Sequence, residues 1–192
     1  MTDKVIGLWG DSITYGANDT EALGWAGRLR KSFPVESDVD VYNFGVCGDT
    51  TDDILKRFVI EANSIKPNIV VFAVGINDAK YPLNESMNKV PLERYKENMR
   101  ELIKAAKDYT NTIYVVSATK ADEAYMRKSG TRFVNDVIKT YNDFLQDLST
   151  SEGLTFINVF DTLDIRTDLA DGLHPNAQGY TKMFDVIREV VK

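Results

Sequence analysis

One serine and the single histidine of this chain are the residues best suited to carry out chemistry together. Ser12 lies in the segment Gly10-Asp11-Ser12, directly after a short apolar run. A serine hydroxyl is a weak nucleophile until a base removes its proton, and histidine is the side chain that can do so near neutral pH. Because His174 is the only histidine, it must be the base if Ser12 is the nucleophile. The pair predicts acyl transfer through a covalent intermediate on Ser12.

Acyl transfer also needs a group that orients the histidine and donors that bind the oxyanion. Asp171 lies three residues before His174, close enough for one turn to hold both side chains. Gly48, which lacks a Cβ, can bring its backbone N–H close to a substrate, and Asn77 can offer a side-chain N–H. The backbone N–H of Ser12 supplies a third donor, because Ser12 opens a predicted helix whose positive end favours an anion. The expected oxyanion hole is therefore Ser12, Gly48 and Asn77.

Each motif also has an ordinary structural interpretation. Residues 10–12 could form a strand-to-helix turn with a helix N-cap, and residues 75–78 could be simple turn chemistry. Residues 171–175 could be a loop in which Pro175 opens the last helix. The positions of the motifs favour one joint site, since each of them follows a predicted strand.

Three further residues near these motifs are given structural roles. Asp11 and Asp49 are expected to anchor turns rather than take part in the reaction. Cys47 could be a reactive thiol, but a small buried side chain is the favoured interpretation because no second histidine or cysteine supports it. A single cysteine also excludes an intramolecular disulfide and a Cys-His zinc site.

The elements that must position these residues are five short apolar runs rich in β-branched side chains, which predict buried strands. The runs cover residues 4–9, 39–44, 68–74, 112–117 and 154–159. Helical periodicity is clearest in residues 92–106, 133–148 and 180–190. Parallel neighbouring strands need crossover connections, so this alternation predicts an α/β fold of three αβα layers, with about five parallel strands and helices on both faces. Sites in such sheets form beyond the carboxyl ends of the strands.

Length and charge limit the classes of partner. The 192 residues fit one domain spanning residues 1–192. The formal net charge is −6 and the charges are interspersed, which argues against a nucleic-acid partner, because that would need a basic face. The start of the chain lacks the pattern of a signal peptide, and no apolar run approaches the roughly 20 residues of a membrane span. A cytoplasmic protein is expected, although a secreted protein whose signal peptide had been removed would look the same.

The motifs, in this order, resemble those of the SGNH hydrolases, also called the GDSL-type esterases and lipases. The matching segments are Gly10-Asp11-Ser12-Ile13, where Ile13 replaces the leucine of the family name, then Gly48-Asp49-Thr50, Gly75-Xaa-Asn77-Asp78 and Asp171-Xaa-Xaa-His174-Pro175. Gly45 is a less favoured alternative to Gly48. The resemblance implies a flavodoxin-like fold, a Ser12–His174–Asp171 triad, and no metal or organic cofactor.

The resemblance also implies that the substrate is a small-molecule carboxylic ester. Connections 79–91 and 118–130 are expected to flank the site, and their limited apolar content favours short acyl groups or O-acetyl esters over long lipid chains. Thioesterase and lysophospholipase activities are alternatives within the family. A non-catalytic flavodoxin-like binding module is an alternative of another class, but the glycine-rich dinucleotide motif and the Walker lysine motif are both absent. Phosphoryl transfer would need metal-binding carboxylates or cationic clamps, and the motif loops do not supply them.

Overall fold

The computed structural model describes residues 4–21, 23–82 and 85–192. Leu83, which belongs to the connection predicted to flank the site, lies outside these ranges. The described strands are β1 (Lys4–Gly10), β2 (Val39–Gly45), β3 (Ile69–Ala73), β4 (Ile113–Val116) and β5 (Thr155–Ile157). They form one parallel sheet in the order β2-β1-β3-β4-β5, which is the flavodoxin-like order. The predicted parallel sheet is confirmed, and the strand ends differ from the prediction by one or two residues.

Helices cover both faces of this sheet. They are α1 (Ser12–Tyr15), α2 (Gly24–Ser32), α3 (Thr51–Ile65), α4 (Leu92–Ala106), α5 (Glu123–Lys128), α6 (Asn135–Glu152) and α7 (Ala177–Val190). The chain moves from β1 to β2 in one direction and from β2 through β5 in the other. Right-handed crossovers therefore place α2 on one face and α3, α4 and α6 on the opposite face. Helix α7 packs against α2, and α3 packs against α4, which completes the three predicted layers.

The central strands are apolar on both faces because helices cover both. Consecutive side chains of β3 are buried, from Ile69 through Phe72, as expected for a parallel strand inside a doubly covered sheet. At the end of β1, the Trp9 ring stacks on Phe44 with centroids 4.9 Å apart and meets the edge of Phe58 at 4.8 Å. This aromatic cluster joins β1, β2 and α3 just before the chain reaches Ser12.

Within the described ranges, no helix combines the length and the apolar character needed to cross a bilayer.

Candidate active site

Ser12 and His174 meet at the carboxyl end of the sheet. Ser12 is the first residue of α1, directly after β1, and His174 lies in the connection between β5 and α7. Although the residues are 162 positions apart, Ser12 Oγ lies 2.9 Å from His174 Nε2. The Ser12 residue is 7% exposed, so the surrounding residues restrict the position of its hydroxyl. The predicted pair is brought together at hydrogen-bond distance.

Asp171 contacts the other nitrogen of the same imidazole. His174 Nδ1 lies 2.8 Å from Asp171 Oδ2, and Asp171 Oδ1 accepts hydrogen bonds from the backbone N–H groups of Leu173 and His174. One turn thus holds both side chains, as the spacing predicts. Burial alone would raise the pKa of Asp171, but hydrogen bonds from the His174 backbone and ring outweigh it and hold that pKa below its ordinary value. An ionised Asp171 can stabilise a protonated imidazole.

The start of α1 is fixed by Asp11. Its side chain caps the helix by accepting a 2.9 Å hydrogen bond from the backbone N–H of Ile13, so the expected turn anchor is confirmed. The first N–H groups of an α-helix have no partner within the helix. The N–H of Ser12 is one of these groups, and it can therefore bind an anion.

Gly48 and Asn77 are brought together at the ends of β2 and β3. Asn77 Nδ2 donates a 3.0 Å hydrogen bond to the carbonyl of Asp49, and an amide nitrogen carries a second N–H for another acceptor. Gly48 has φ +85°, and a Cβ built there would meet nothing within 4 Å. The left-handed backbone conformation is one structural reason for a glycine at this position, and the open space beside it leaves room for a reactant near the Gly48 N–H.

Buried Asp78 connects the loop of Gly48 to the segment of Asn77. Its buried carboxylate accepts hydrogen bonds from the backbone N–H and the hydroxyl of Thr51, the first residue of α3. Since Thr51 follows the Gly48 loop and Asp78 follows Asn77, these bonds fix the two segments relative to each other.

Connection 118–130 packs against the turn that carries the histidine. The backbone N–H of Asp122 donates a 2.8 Å hydrogen bond to the carbonyl of Gly172. The Tyr125 ring lies so close to Gly172 that a Cβ at this glycine would be 2.6 Å from a ring atom. Half of Tyr125 remains exposed, and its ring packs against the turn that carries His174.

Connection 79–91 contacts the Gly48 loop from the other side. Lys89 Nζ donates a 3.0 Å hydrogen bond to the carbonyl of Gly48. Farther out, Tyr81 pairs with Arg132 through a backbone bridge, and the guanidinium of Arg132 lies 3.7 Å from the centre of the Tyr81 ring. The described parts of both connections thus contact the loops of the site.

Cys47 corrects one expectation from the sequence. The prediction of a small buried side chain is wrong, because Cys47 is exposed. It lies in the loop that leaves β2, an edge strand of the sheet. Across the described parts of the chain, no group of three or more histidine, cysteine or acidic side chains is placed to hold a metal ion.

Asn18 contacts a site residue, although the sequence did not identify Asn18 as part of the site. Its Nδ2 donates a 2.6 Å hydrogen bond to Asp171 Oδ2. The available signal was an asparagine two residues after Gly16, a pattern that predicts a turn. Such a pattern says nothing about which distant side chain the turn will reach.

Two buried carboxyls beneath the site predict how stability depends on pH. Burial raises the pKa of Asp11 and of Asp78 to about 7, whereas an aspartate in an unfolded chain titrates near ~3.9. Between these values the folded protein holds protons that the unfolded chain releases. Stability from these groups is therefore greatest at low pH and is lost as the pH rises through about 7.

Asp11→Asn is expected to lessen this pH dependence. The amide oxygen can still cap Ile13, but it cannot ionise, so the variant should lose less stability between about pH 5 and about pH 8 than the parent protein. Urea unfolding at both pH values measures the difference. Asp40→Asn, at an exposed site on β2, is the matched control and should follow the parent. An Asp11→Asn variant that also follows the parent would show that Asp11 does not titrate in this range.

The chain is similar to known proteins over most of its length. A model of the GDSL-like lipase/acylhydrolase family matches residues 8–182. A GDSL esterase/lipase of Arabidopsis thaliana is 25% identical over 96% of this chain and 84% of its own length. An acetylxylan esterase of Geobacillus stearothermophilus is 25% identical over 89% of this chain and 86% of its own. The crystal structure of a lipase/acylhydrolase from Enterococcus faecalis is 28% identical, with a TM-score of 0.78 over 98% of this chain and 95% of that chain.

Proposed function

This chain belongs to the GDSL-like lipase/acylhydrolase family and is a carboxylic ester hydrolase, and we propose that it cleaves its esters through an acyl-enzyme on Ser12. The observation that carries the proposal is the continuous chain of contacts from Ser12 Oγ to His174 Nε2, at 2.9 Å, and from His174 Nδ1 to Asp171 Oδ2, at 2.8 Å. This is the geometry by which a carboxylate fixes an imidazole and the imidazole activates a hydroxyl.

In the first half of the reaction, Ser12 Oγ attacks the carbonyl carbon of the ester while His174 Nε2 takes the hydroxyl proton. The imidazolium that forms is stabilised by ionised Asp171. When the tetrahedral intermediate collapses, the bond to the alcohol oxygen breaks and His174 returns the proton to that oxygen. The alcohol leaves, and the acyl group remains on Ser12.

The negative charge of the intermediate needs donors that are already in place. We assign this role to the backbone N–H groups of Ser12 and Gly48 and to the side-chain N–H of Asn77. The hydrogen bonds of Asn77 to the carbonyl of Asp49 and of Lys89 to the carbonyl of Gly48 support the assignment. They hold the loop and the amide in fixed orientations before a substrate arrives.

In the second half, a water molecule replaces the alcohol. His174 takes a proton from this water as its oxygen attacks the acyl carbon, and then returns the proton to Ser12 Oγ as the acid leaves. The same imidazole serves as base and acid in both halves, which requires that Asp171 keep it in one tautomer.

We further propose that the acyl group is short and that O-acetyl esters are among the substrates. A cleft of about 220 Å³ beside the two connections has a mixed lining, in which Glu85, Arg127 and Arg132 supply charged groups and Tyr81 and Pro82 supply apolar surface. Sites for long apolar chains are lined mainly by apolar side chains. The acetylxylan esterase among the relatives is consistent with acetyl transfer to water.

A series of p-nitrophenyl esters tests this proposal. We expect kcat/KM to be highest for the acetate or butyrate and to fall at least about tenfold by the octanoate, because a longer chain in this cleft would remove water from its charged side chains. An acetyl thioester and a lysophospholipid, assayed in parallel, measure the other activities of the family. The Ser12→Ala protein serves as the background control for every substrate.

A maximum at long chains would contradict the short-acyl proposal and favour a lipase or lysophospholipase. A preference for the thioester over the matched oxygen ester would favour a thioesterase. Hydrolysis of no ester above the Ser12→Ala background would contradict the proposed mechanism itself.

A further inference from the structure

Asn18 contacts the acid of the triad from the segment that carries the nucleophile. Asn18 Nδ2 lies 2.6 Å from Asp171 Oδ2, and the same carboxylate oxygen lies 2.8 Å from His174 Nδ1. The other oxygen, Oδ1, is occupied by two backbone N–H groups of the turn. Asn18 therefore completes the hydrogen bonding of this carboxylate on the side that faces the imidazole.

The turn that presents Asn18 is built onto α1. The backbone N–H groups of Gly16 and Ala17 both donate to the carbonyl of Ser12. Gly16 has φ +97°, and a Cβ there would come within 2.9 Å of the backbone nitrogen of Gly24. Asn18 itself has φ +62°, a left-handed conformation that asparagine tolerates better than most residues. The backbone of this turn is thus tightly constrained.

Buried side chains hold the turn on both sides of Asn18. Before it, the hydroxyl of Tyr180 donates a 2.8 Å hydrogen bond to the carbonyl of Ala17. After it, the buried carboxylate of Asp19 pairs with Arg28. Arg28 in turn donates to the carbonyl of Ala177, at the start of α7. Since α7 begins just after the histidine loop, these contacts fix Asn18 relative to His174 as well.

We propose that Asn18 is a positioning residue that holds the Asp171 carboxylate in the orientation His174 requires. The proposal rests on the function proposed above. The Asp171 side chain is 38% exposed, so without a fixed donor Oδ2 would share its hydrogen bonds with water. A rigid N–H at this oxygen keeps the carboxylate aligned with the ring. Asn18 thereby links the nucleophile segment directly to the acid, and its Nδ2 also lies 3.5 Å from His174 Nδ1.

Asn18→Gly is the principal test, because glycine adopts the left-handed conformation freely and removes only the side chain. With p-nitrophenyl acetate, we expect kcat to fall about tenfold, as for loss of one charge-assisted hydrogen bond. KM should stay within about twofold, since Asn18 acts on Asp171 and not on the substrate. Asp38→Gly is the control, because Asp38 is also left-handed, with φ +48°, and precedes the amino end of β2, opposite the site. It should leave kcat unchanged.

Asn18→Asp tests contact with the triad through the pH profile of kcat, which a purely structural role of Asn18 would leave in place. A second carboxylate beside Asp171 favours the protonated imidazole. The acidic limb of the pH profile of kcat should therefore move to higher pH, whereas Asn18→Gly should lower kcat at every pH. An Asn18→Asp profile with an unmoved limb would contradict contact with the triad in solution.

A double-mutant cycle with Asp171→Asn identifies the partner of Asn18. If Asn18 acts through the Asp171 carboxylate, Asn18→Gly should cost less than about twofold in kcat when Asp171→Asn is already present. A full additional loss in the double variant would overturn the proposal, as would a kcat within about twofold of the parent for Asn18→Gly alone. An unaffected Asn18→Gly protein beside an inactive Ser12→Ala protein would refute the positioning role alone. An active Ser12→Ala protein would refute the proposed function.

Discussion

Replacing Ser12 by alanine is expected to lower kcat for p-nitrophenyl acetate at least ~10³-fold while the protein remains folded. The change removes the oxygen that lies 2.9 Å from His174 Nε2. It leaves the helix cap of Asp11 and the buried surroundings intact. Initial rates at saturating ester measure kcat, and far-ultraviolet circular dichroism with thermal unfolding checks the fold.

Cys47→Ser is the companion variant for this measurement. Cys47 is exposed beside Gly48, and a free thiol can hydrolyse activated esters slowly. We expect Cys47→Ser to keep the parent rate, which would exclude the thiol as the source of turnover. Ser12→Ala activity within about tenfold of the parent would remove Ser12 from the mechanism.

Asp19→Ala is expected to cost about 3–5 kcal/mol of unfolding free energy, the largest stability effect that we anticipate from one side chain. Asp19 and Arg28 form an ion pair whose side chains are 0% and 8% exposed. The Asp19 carboxylate also accepts hydrogen bonds from the backbone N–H groups of Glu21 and Gly24. Removing it leaves these donors unmatched and leaves the buried guanidinium with Glu21, whose side chain is 59% exposed, as its remaining acidic partner. Denaturant unfolding, with the slope checked for two-state behaviour, measures the change.

Two variants control this prediction. Asp19→Ala combined with Arg28→Met should recover part of the loss, since the buried guanidinium that lost its buried partner is then removed as well. Lys139→Ala breaks an exposed pair with Asp143 on α6 and should cost less than about 0.5 kcal/mol. If Asp19→Ala cost no more than Lys139→Ala, the pair would not be buried in solution.

The fold could be predicted because its signals are local. Strands β1, β3 and β4 are short runs of mostly buried apolar residues, and each long helix has one apolar face. The edge strand β2 is mostly exposed or half-buried. The crossover rule then converts the alternation into a parallel sheet. Strand ends were less predictable. For example, the apolar run predicts that Asn68 belongs to a strand, whereas β3 begins at Ile69. The Asn68 side chain instead accepts a hydrogen bond from the backbone N–H of Val5.

The candidate site could be predicted in outline because its residues follow the strands. Ser12, Gly48 and Asn77 come from three neighbouring strand ends, and the single histidine with Asp171 three residues before it identified the turn that carries both. What could not be predicted were contacts made by side chains from turns and long connections. Asn18 and Lys89 belong to this group, since their partners are set by how loops pack against one another.

The exposure of Cys47 is a second feature that could not be predicted from the sequence. A small sulfur side chain beside a glycine is often buried, and the sequence offered no way to see that β2 lies at the sheet edge. The strand order is a property of the whole chain, so exposure along β2 and its loop follows from topology rather than from local composition.

The most direct test of the account is the site of covalent modification by a fluorophosphonate, which traps activated serines. We predict a single adduct per chain by intact mass. Peptide mapping should place it on Ser12, and labelling should be lost in Ser12→Ala and greatly slowed in His174→Ala. An adduct on any other residue, or equal labelling of the Ser12→Ala protein, would contradict the assignment of Ser12 as the nucleophile.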